Sequence, residues 1–200
     1  NESETKTVSI KVINGYSSTS KKIGSDLLNN NIANLQFGYD VSFSESAKYI
    51  IASAGFDGEE NNYAGSVSFY QLDENKNTYE RKFEVRGKNT IGLSDQVHQG
   101  FDRFARSVNI SSDGRRFIVG ADQNFGNNCG ECPGYAEVYQ VDESYSSATQ
   151  IGDRLLGKLN GDGFGFQTSI SSSGDIVASS SFNDSGTEEP NSENWRTGLV

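Results

Sequence analysis

The chain has 200 residues, 34% of them hydrophobic, with 22 glycines and only 2 prolines. Its formal charge of −10 excludes a phosphate-gripping nucleic-acid protein, which needs clustered lysine and arginine. No apolar run approaches the roughly 18 residues of a membrane-spanning helix.

A thin apolar fraction with many turn residues predicts short strands, and no segment keeps a 3.6-residue apolar period. The sequence has no methionine, so we expect a mature form or a piece cut from a longer chain. In chain order, VSIKVI at Val8 reads as a strand and KKIGSDL at Lys21 as another. FGYDVSFSESAKYIIASAG begins at Phe37 and returns as FARSVNISSDGRRFIVGAD at Phe104 and FGFQTSISSSGDIVASSS at Phe164. The copies start 67 and 60 residues apart, a spacing that marks a repeat architecture. Each reads as an alternating strand, a Ser-rich turn and a short apolar strand. A third strand follows, GSVSFYQ at Gly65, GYAEVYQ at Gly134 and a truncated GLV at Gly198. A fourth follows a polar turn, TYERKFEV at Thr78 and ATQIGDRL at Ala148.

The units are therefore four-stranded antiparallel meanders. Residues 1–27 read as the end of a preceding unit, 37–86 and 104–155 as full units, and 164–200 as a truncated one. The second strands are apolar on successive residues, which predicts sheets covered on both faces. Four-stranded sheets repeating at this interval predict an all-β fold of β-propeller blades, a partial propeller in a longer chain with further blades beside it. A two-sheet sandwich also uses short antiparallel strands, but it does not predict the repeat.

The segments FGYDVSFS, IIASAG and AGSVSFY, echoed as FARSVNIS, FIVGAD and GYAEVYQ, resemble the FG-GAP repeats of integrin α-subunit propellers. The resemblance runs from Val8 to Val200. It implies a ligand-binding face at one end of the propeller. It does not carry calcium sites across, because the family's acidic loop between strands one and two is replaced here by SESAKY, SSDGRR and SSSGDI. Each offers at most two carboxylates, where calcium takes six to eight oxygens. We expect plain hairpin turns there.

In a meander, the loops from strand two to three and from blade to blade leave one end, and all the long loops belong to this set. Binding residues favour loops on a rigid scaffold. The strand-two-to-three loops hold Asp57, Glu59, Glu60, Asp122, Asp184, Glu188 and Glu189, and these loops carry nine of the ten net negative charges. The blade-to-blade loops are balanced, Asp95, Asp102 and Asp162 against Lys88, Arg103 and Lys158. The expectation is an acidic rim that draws a cation such as calcium, or a basic partner; a solubilising surface is the plainer alternative.

Cys129 and Cys132, the only cysteines, form CGEC within one acidic loop. A local disulfide is expected if the protein is extracellular or at a cell surface. Zinc would need two more ligands, and His98 is the only histidine. Of two glycosylation sequons, Asn109 falls in a strand and Asn183 opens a loop. No catalytic constellation stands out. The functional expectation is a non-enzymatic recognition or adhesion module for a protein or glycan surface. The alternative is a polysaccharide-active propeller enzyme whose central channel would hold carboxylates with an arginine or histidine.

Overall fold

The computed structural model describes residues 26–27, 36–55, 64–87, 102–123 and 132–183. Among them the regular structure is entirely β: β1 (Phe37–Phe43), β2 (Tyr49–Ala54), β3 (Ser66–Asp73), β4 (Thr78–Arg86), β5 (Phe104–Ile110), β6 (Arg116–Ala121), β7 (Tyr135–Val141), β8 (Ala148–Leu156), β9 (Phe164–Ile170) and β10 (Val177–Ser181). Strands β1 to β4 form one antiparallel sheet in sequence order, β5 to β8 a second, and β9 with β10 a two-stranded third. The expected strands at Val8, Lys21 and Gly198 lie outside the described residues, except for Asp26 and Leu27.

The first strands of successive sheets lie against one another, β1 beside β5 and β5 beside β9, with the later strands fanning outward. These are β-propeller blades. The sandwich alternative fails, because each sheet repeats the previous one in order and register. Every residue of β2 is buried, as are five of the six in β6, as expected for strands covered on both faces. One core cluster joins Tyr49, Ile51, Val67 and Phe69 of blade one to Val108, Phe117, Val119 and Tyr139 of blade two.

The Ser-rich turns are tight hairpins built three times alike. Ser44, Ser111 and Ser171 each accept through Oγ from the amide five residues on, at 3.1, 3.0 and 3.1 Å. A residue with positive φ closes each turn: Ala47, Gly114 and Gly174. The hydroxyl satisfies an amide that the turn would otherwise leave unpaired.

Blade contacts repeat at matching positions. Asp40 Oδ2 accepts from the Val108 amide at 2.8 Å, and Ser107 Oγ, at the matching place, accepts from Thr168 N at 3.1 Å. The Glu45 amide donates to Ser112 O, and the Ser112 amide to Ser172 O. Phe104 and Phe164 each enter the mouth of the preceding blade. Their amides donate to Ala64 O and Pro133 O, both at 3.0 Å. Their backbones lie so close to Gly65 and Gly134 that a Cβ there would overlap a phenylalanine carbonyl oxygen.

This geometry distinguishes two kinds of glycine. Gly134 has φ of 79° and no room; Gly152 has φ of 70° with nothing within 4 Å. Gly152→Ala should cost only the left-handed penalty, about 1–2 kcal/mol. Gly134→Ala should cost about 3–5 kcal/mol, since overlap with fixed backbone adds to that penalty. Chemical denaturation of both variants checks the difference.

Candidate binding face

The starts of β5 and β9 and the ends of β2 and β6 lie at the long-loop end. There the chain buries polar side chains. Asp102, fully buried, accepts from Gln123 Nε2 at 2.7 Å through Oδ1 and from the Tyr135 hydroxyl through Oδ2. Gln123 Oε1 in turn accepts from the Gly134 amide at 3.2 Å. One carboxylate thus joins the last residues of the blade-one-to-two loop to both stems of the β6–β7 loop.

A second network lies alongside. Glu137 Oε1 accepts from Arg154 Nε and an Arg154 terminal nitrogen, at 2.9 and 2.7 Å, and Glu137 Oε2 accepts from the Tyr139 hydroxyl at 2.6 Å. The Arg154 guanidinium lies 3.8 Å over the Tyr135 ring, a cation–π contact. Burial drives the Asp102 carboxyl above its ordinary value, against the hydrogen bonds from Tyr135 and Gln123 that favour its ionised form. Burial, then the neighbouring Asp102, pushes the Tyr135 hydroxyl up, so it stays a donor.

Towards the inner strands, Asp122 pairs with Arg103 at 3.1 Å and Arg106 at 3.5 Å. The Arg106 guanidinium is held between the rings of Tyr39 and Phe166, 4.7 and 4.4 Å from their centroids. Tyr39, Arg106 and Phe166 occupy the same place in three successive first strands. The repeat therefore stacks ring, cation and ring across three blades.

Of the residues expected to form an acidic rim, Asp57, Glu59, Glu60, Asp184, Glu188 and Glu189 lie outside the described residues. Asp122 is described and does not belong to an exposed rim. It is 1% exposed, because Arg103 and Arg106 neutralise it at the base of its loop. Asp102 and Asp162, counted from sequence among the balanced blade-to-blade loop charges, are also buried; Asp162 Oδ2 accepts from the amides of Lys158 and Leu159.

Cys132 is disulfide-bonded, and Cys129 lies outside the described residues, as does His98. Asn183 follows β10 at the same end, its amide donating to Asp162 O at 3.0 Å and its Nδ2 to Gly161 O at 3.2 Å. Asn109 lies within β5, its Nδ2 donating to Thr168 O. Among the described residues no three His, Cys, Asp or Glu side chains gather as a metal-binding group.

Sequence reasoning missed the Asp102–Gln123–Tyr135 clamp and the Arg106 stack. One signal was available: an aspartate stands two residues before both Phe104 and Phe164, at a fixed place relative to the repeat.

No protein-family model and no curated protein matches the chain. Among solved structures it is similar to the periplasmic gluconolactonase PpgL of Pseudomonas aeruginosa, at 14% identity over 94% of this chain and 49% of that one, with a TM-score of 0.47. It is also similar to the WD40 repeats of RRP9, at 13% identity over 78% of this chain and 37% of that one, with a TM-score of 0.44. The chain spans less than half the length of either.

The raised Asp102 pKa sets the sign of a pH effect. Burial favours its protonated form, so the stability this group lends is full below the unfolded carboxylate value and is lost as pH rises through the folded one. Asp102→Asn, which cannot ionise, should therefore gain on wild type as pH rises above the ordinary carboxylate range. Asp102→Ala, which strands the Gln123 and Tyr135 donors, should cost about 2–3 kcal/mol near neutral pH. Denaturant melts from acid to neutral pH read both.

Proposed function

We propose that the chain is part of an FG-GAP-type propeller and acts as a recognition module, gripping a protein or glycan surface through its long-loop face. The observation that carries this reading is the clamping of the loop stems. Asp102, Gln123, Tyr135 and the Asp122–Arg103–Arg106 set tie the bases of adjacent loops to a packed scaffold. Loops held at their stems can bind with little ordering cost.

The same geometry weighs against a channel enzyme. Among the described residues near the inner strands, Asp122 is buried and paired with two arginines, Asp40 of β1 accepts from the Val41 and Val108 amides, and Arg106 is enclosed by two rings. The acidic residues Asp57, Glu59, Glu60, Asp184, Glu188 and Glu189 supply the attraction, with calcium as a candidate bridge. A Cys129–Cys132 staple and a glycan on Asn183 complete an extracellular or cell-surface reading.

Calorimetric titration with calcium, and with panels of basic proteins and glycans at low and physiological salt, tests the proposal. Binding should weaken as salt screens beyond a Debye length of about 8 Å. Joint neutralisation, Asp57→Asn with Glu59→Gln and Glu60→Gln, should slow association more than it speeds dissociation. Heats equal to buffer throughout, with no salt-dependent partner captured, would leave the acidic loops a solubilising role only.

A further inference from the structure

Each first strand opens on the same kink. The residues on either side of its leading phenylalanine take positive φ: Gln36 and Gly38, Arg103 and Ala105, Gly163 and Gly165. The third residue then turns its amide back, Tyr39 to Gln36 O and Arg106 to Arg103 O, both at 3.0 Å. Ala105 holds this left-handed conformation without being glycine, and it is fully buried. Such a residue persists only where its surroundings hold it. The kink thus fixes where Arg106 leaves the backbone.

Arg106 belongs to the middle blade, so both blades that flank it are described. Tyr39 and Phe166 cover the two faces of its guanidinium, and Phe182 packs on Phe166 with ring centroids 4.5 Å apart. Nε lies 3.5 Å from Asp122 Oδ2 and is buried without a hydrogen bond. The two terminal nitrogens make no hydrogen bond among the described residues either, yet they are not buried; the side chain as a whole is 14% exposed. Four of the five guanidinium N–H groups are therefore held at one edge of a plate fixed between two rings. Arg154, in the same blade, uses its donors in the opposite way, giving Nε and a terminal nitrogen to Glu137. No carboxylate does this for Arg106. Asp122 also serves Arg103, at 3.1 Å, and Asp40 accepts from the Val41 and Val108 amides. Two arginines share Asp122, which leaves one positive charge in excess.

We propose that the terminal edge of Arg106 is a carboxylate-binding site at the long-loop end of the inner strands, and that its ligand is a single carboxylate in an otherwise basic peptide. The fork of terminal nitrogens matches the planar pair of carboxylate oxygens, so two parallel hydrogen bonds can form. The rings fix the fork before the ligand arrives, which lowers the ordering cost of binding. No protein acceptor has to leave, because the ligand displaces only water. One excess charge suits a monoanion. The chain's net charge of −10 repels a polyanion such as a uronic-acid polymer, and draws a peptide whose lysines and arginines outnumber its carboxylate. The basic peptide rests on the recognition reading above; the carboxylate fork does not.

Two experiments on the chain separate the site from its ligand. The first uses acetate as the bare carboxylate. Arginine side-chain nitrogen resonances are followed by NMR during titration with sodium acetate, against sodium chloride at equal ionic strength. The Arg106 signals are assigned by their loss in Arg106→Lys. Acetate should move them to saturation and chloride should not. No saturable shift at Arg106, or equal shifts at every arginine, would overturn the proposal.

The second compares an amidated lysine-rich peptide holding one central glutamate with the same peptide holding glutamine. Wild type should bind the glutamate peptide about tenfold more tightly. The preference should vanish in Arg106→Gln and shrink in Arg106→Lys, which keeps the charge but not the fork. Circular dichroism checks that both variants are folded, and Arg106→Lys alone decides if Arg106→Gln is not. Equal binding of the two peptides would overturn the proposal and leave the basic-partner reading standing. Binding of neither peptide, with acetate still saturating Arg106, would overturn the peptide as ligand and the basic-partner reading with it. Tighter binding of a uronic-acid disaccharide than of the glutamate peptide would overturn the choice of a peptide.

Discussion

The rest of the structure depends on the wedging of one blade's first phenylalanine into the mouth of the blade before it. Phe104 and Phe164 donate their amides to the residue before the third-strand glycine, and their carbonyls lie against Gly65 and Gly134. The approach is possible because those glycines carry no Cβ and take positive φ. Each wedge fixes where the next inner strand begins. The side-chain-to-amide bonds from Asp40 to Val108 and from Ser107 to Thr168 then follow at one register. Burying the Phe104 ring contributes about 1.5–3 kcal/mol and the half-buried Phe164 ring less, but the geometric effect is larger, since each wedge sets the position of a whole blade.

The same wedge places the candidate face. Asp102 stands two residues before Phe104, so docking the ring brings its carboxylate to Gln123 and Tyr135. Arg106 stands two residues after, so its guanidinium falls between Tyr39 and Phe166. Blade docking and loop-stem clamping are therefore one event. A buried carboxylate with two donors costs desolvation, and its use here is to hold three chain segments in one arrangement. The loops themselves are left to vary in length and charge.

Much of this was legible in the sequence. The repeat at Phe37, Phe104 and Phe164 gave strand order and turn type, because alternation and turn chemistry act locally. The glycines before β3 and β7 were read only as the openings of third strands; the phenylalanine backbone that lies against them comes from a distant part of the sequence. Burial of charge was not legible. Asp102, Asp122 and Asp162 look like Asp57 or Asp184 when read singly, since each stands in a polar loop. They differ only in what the next strand brings to them, an arginine pair for Asp122 and donors from two loop stems for Asp102. Charge counting over loops therefore placed Asp122 in a rim to which it does not belong.

The central claim is that neighbouring blades are one cooperative unit because of the wedge and its bonds. Native-state hydrogen exchange tests it most directly, by comparing amides bonded between blades, those of Phe104, Val108, Phe164 and Thr168, with amides bonded within sheets in β2 and β6. The account predicts that both sets exchange with the same opening free energy, that of global unfolding. Inter-blade amides that exchange through a markedly smaller opening, with the sheets still protected, would contradict it and show blades that fold separately.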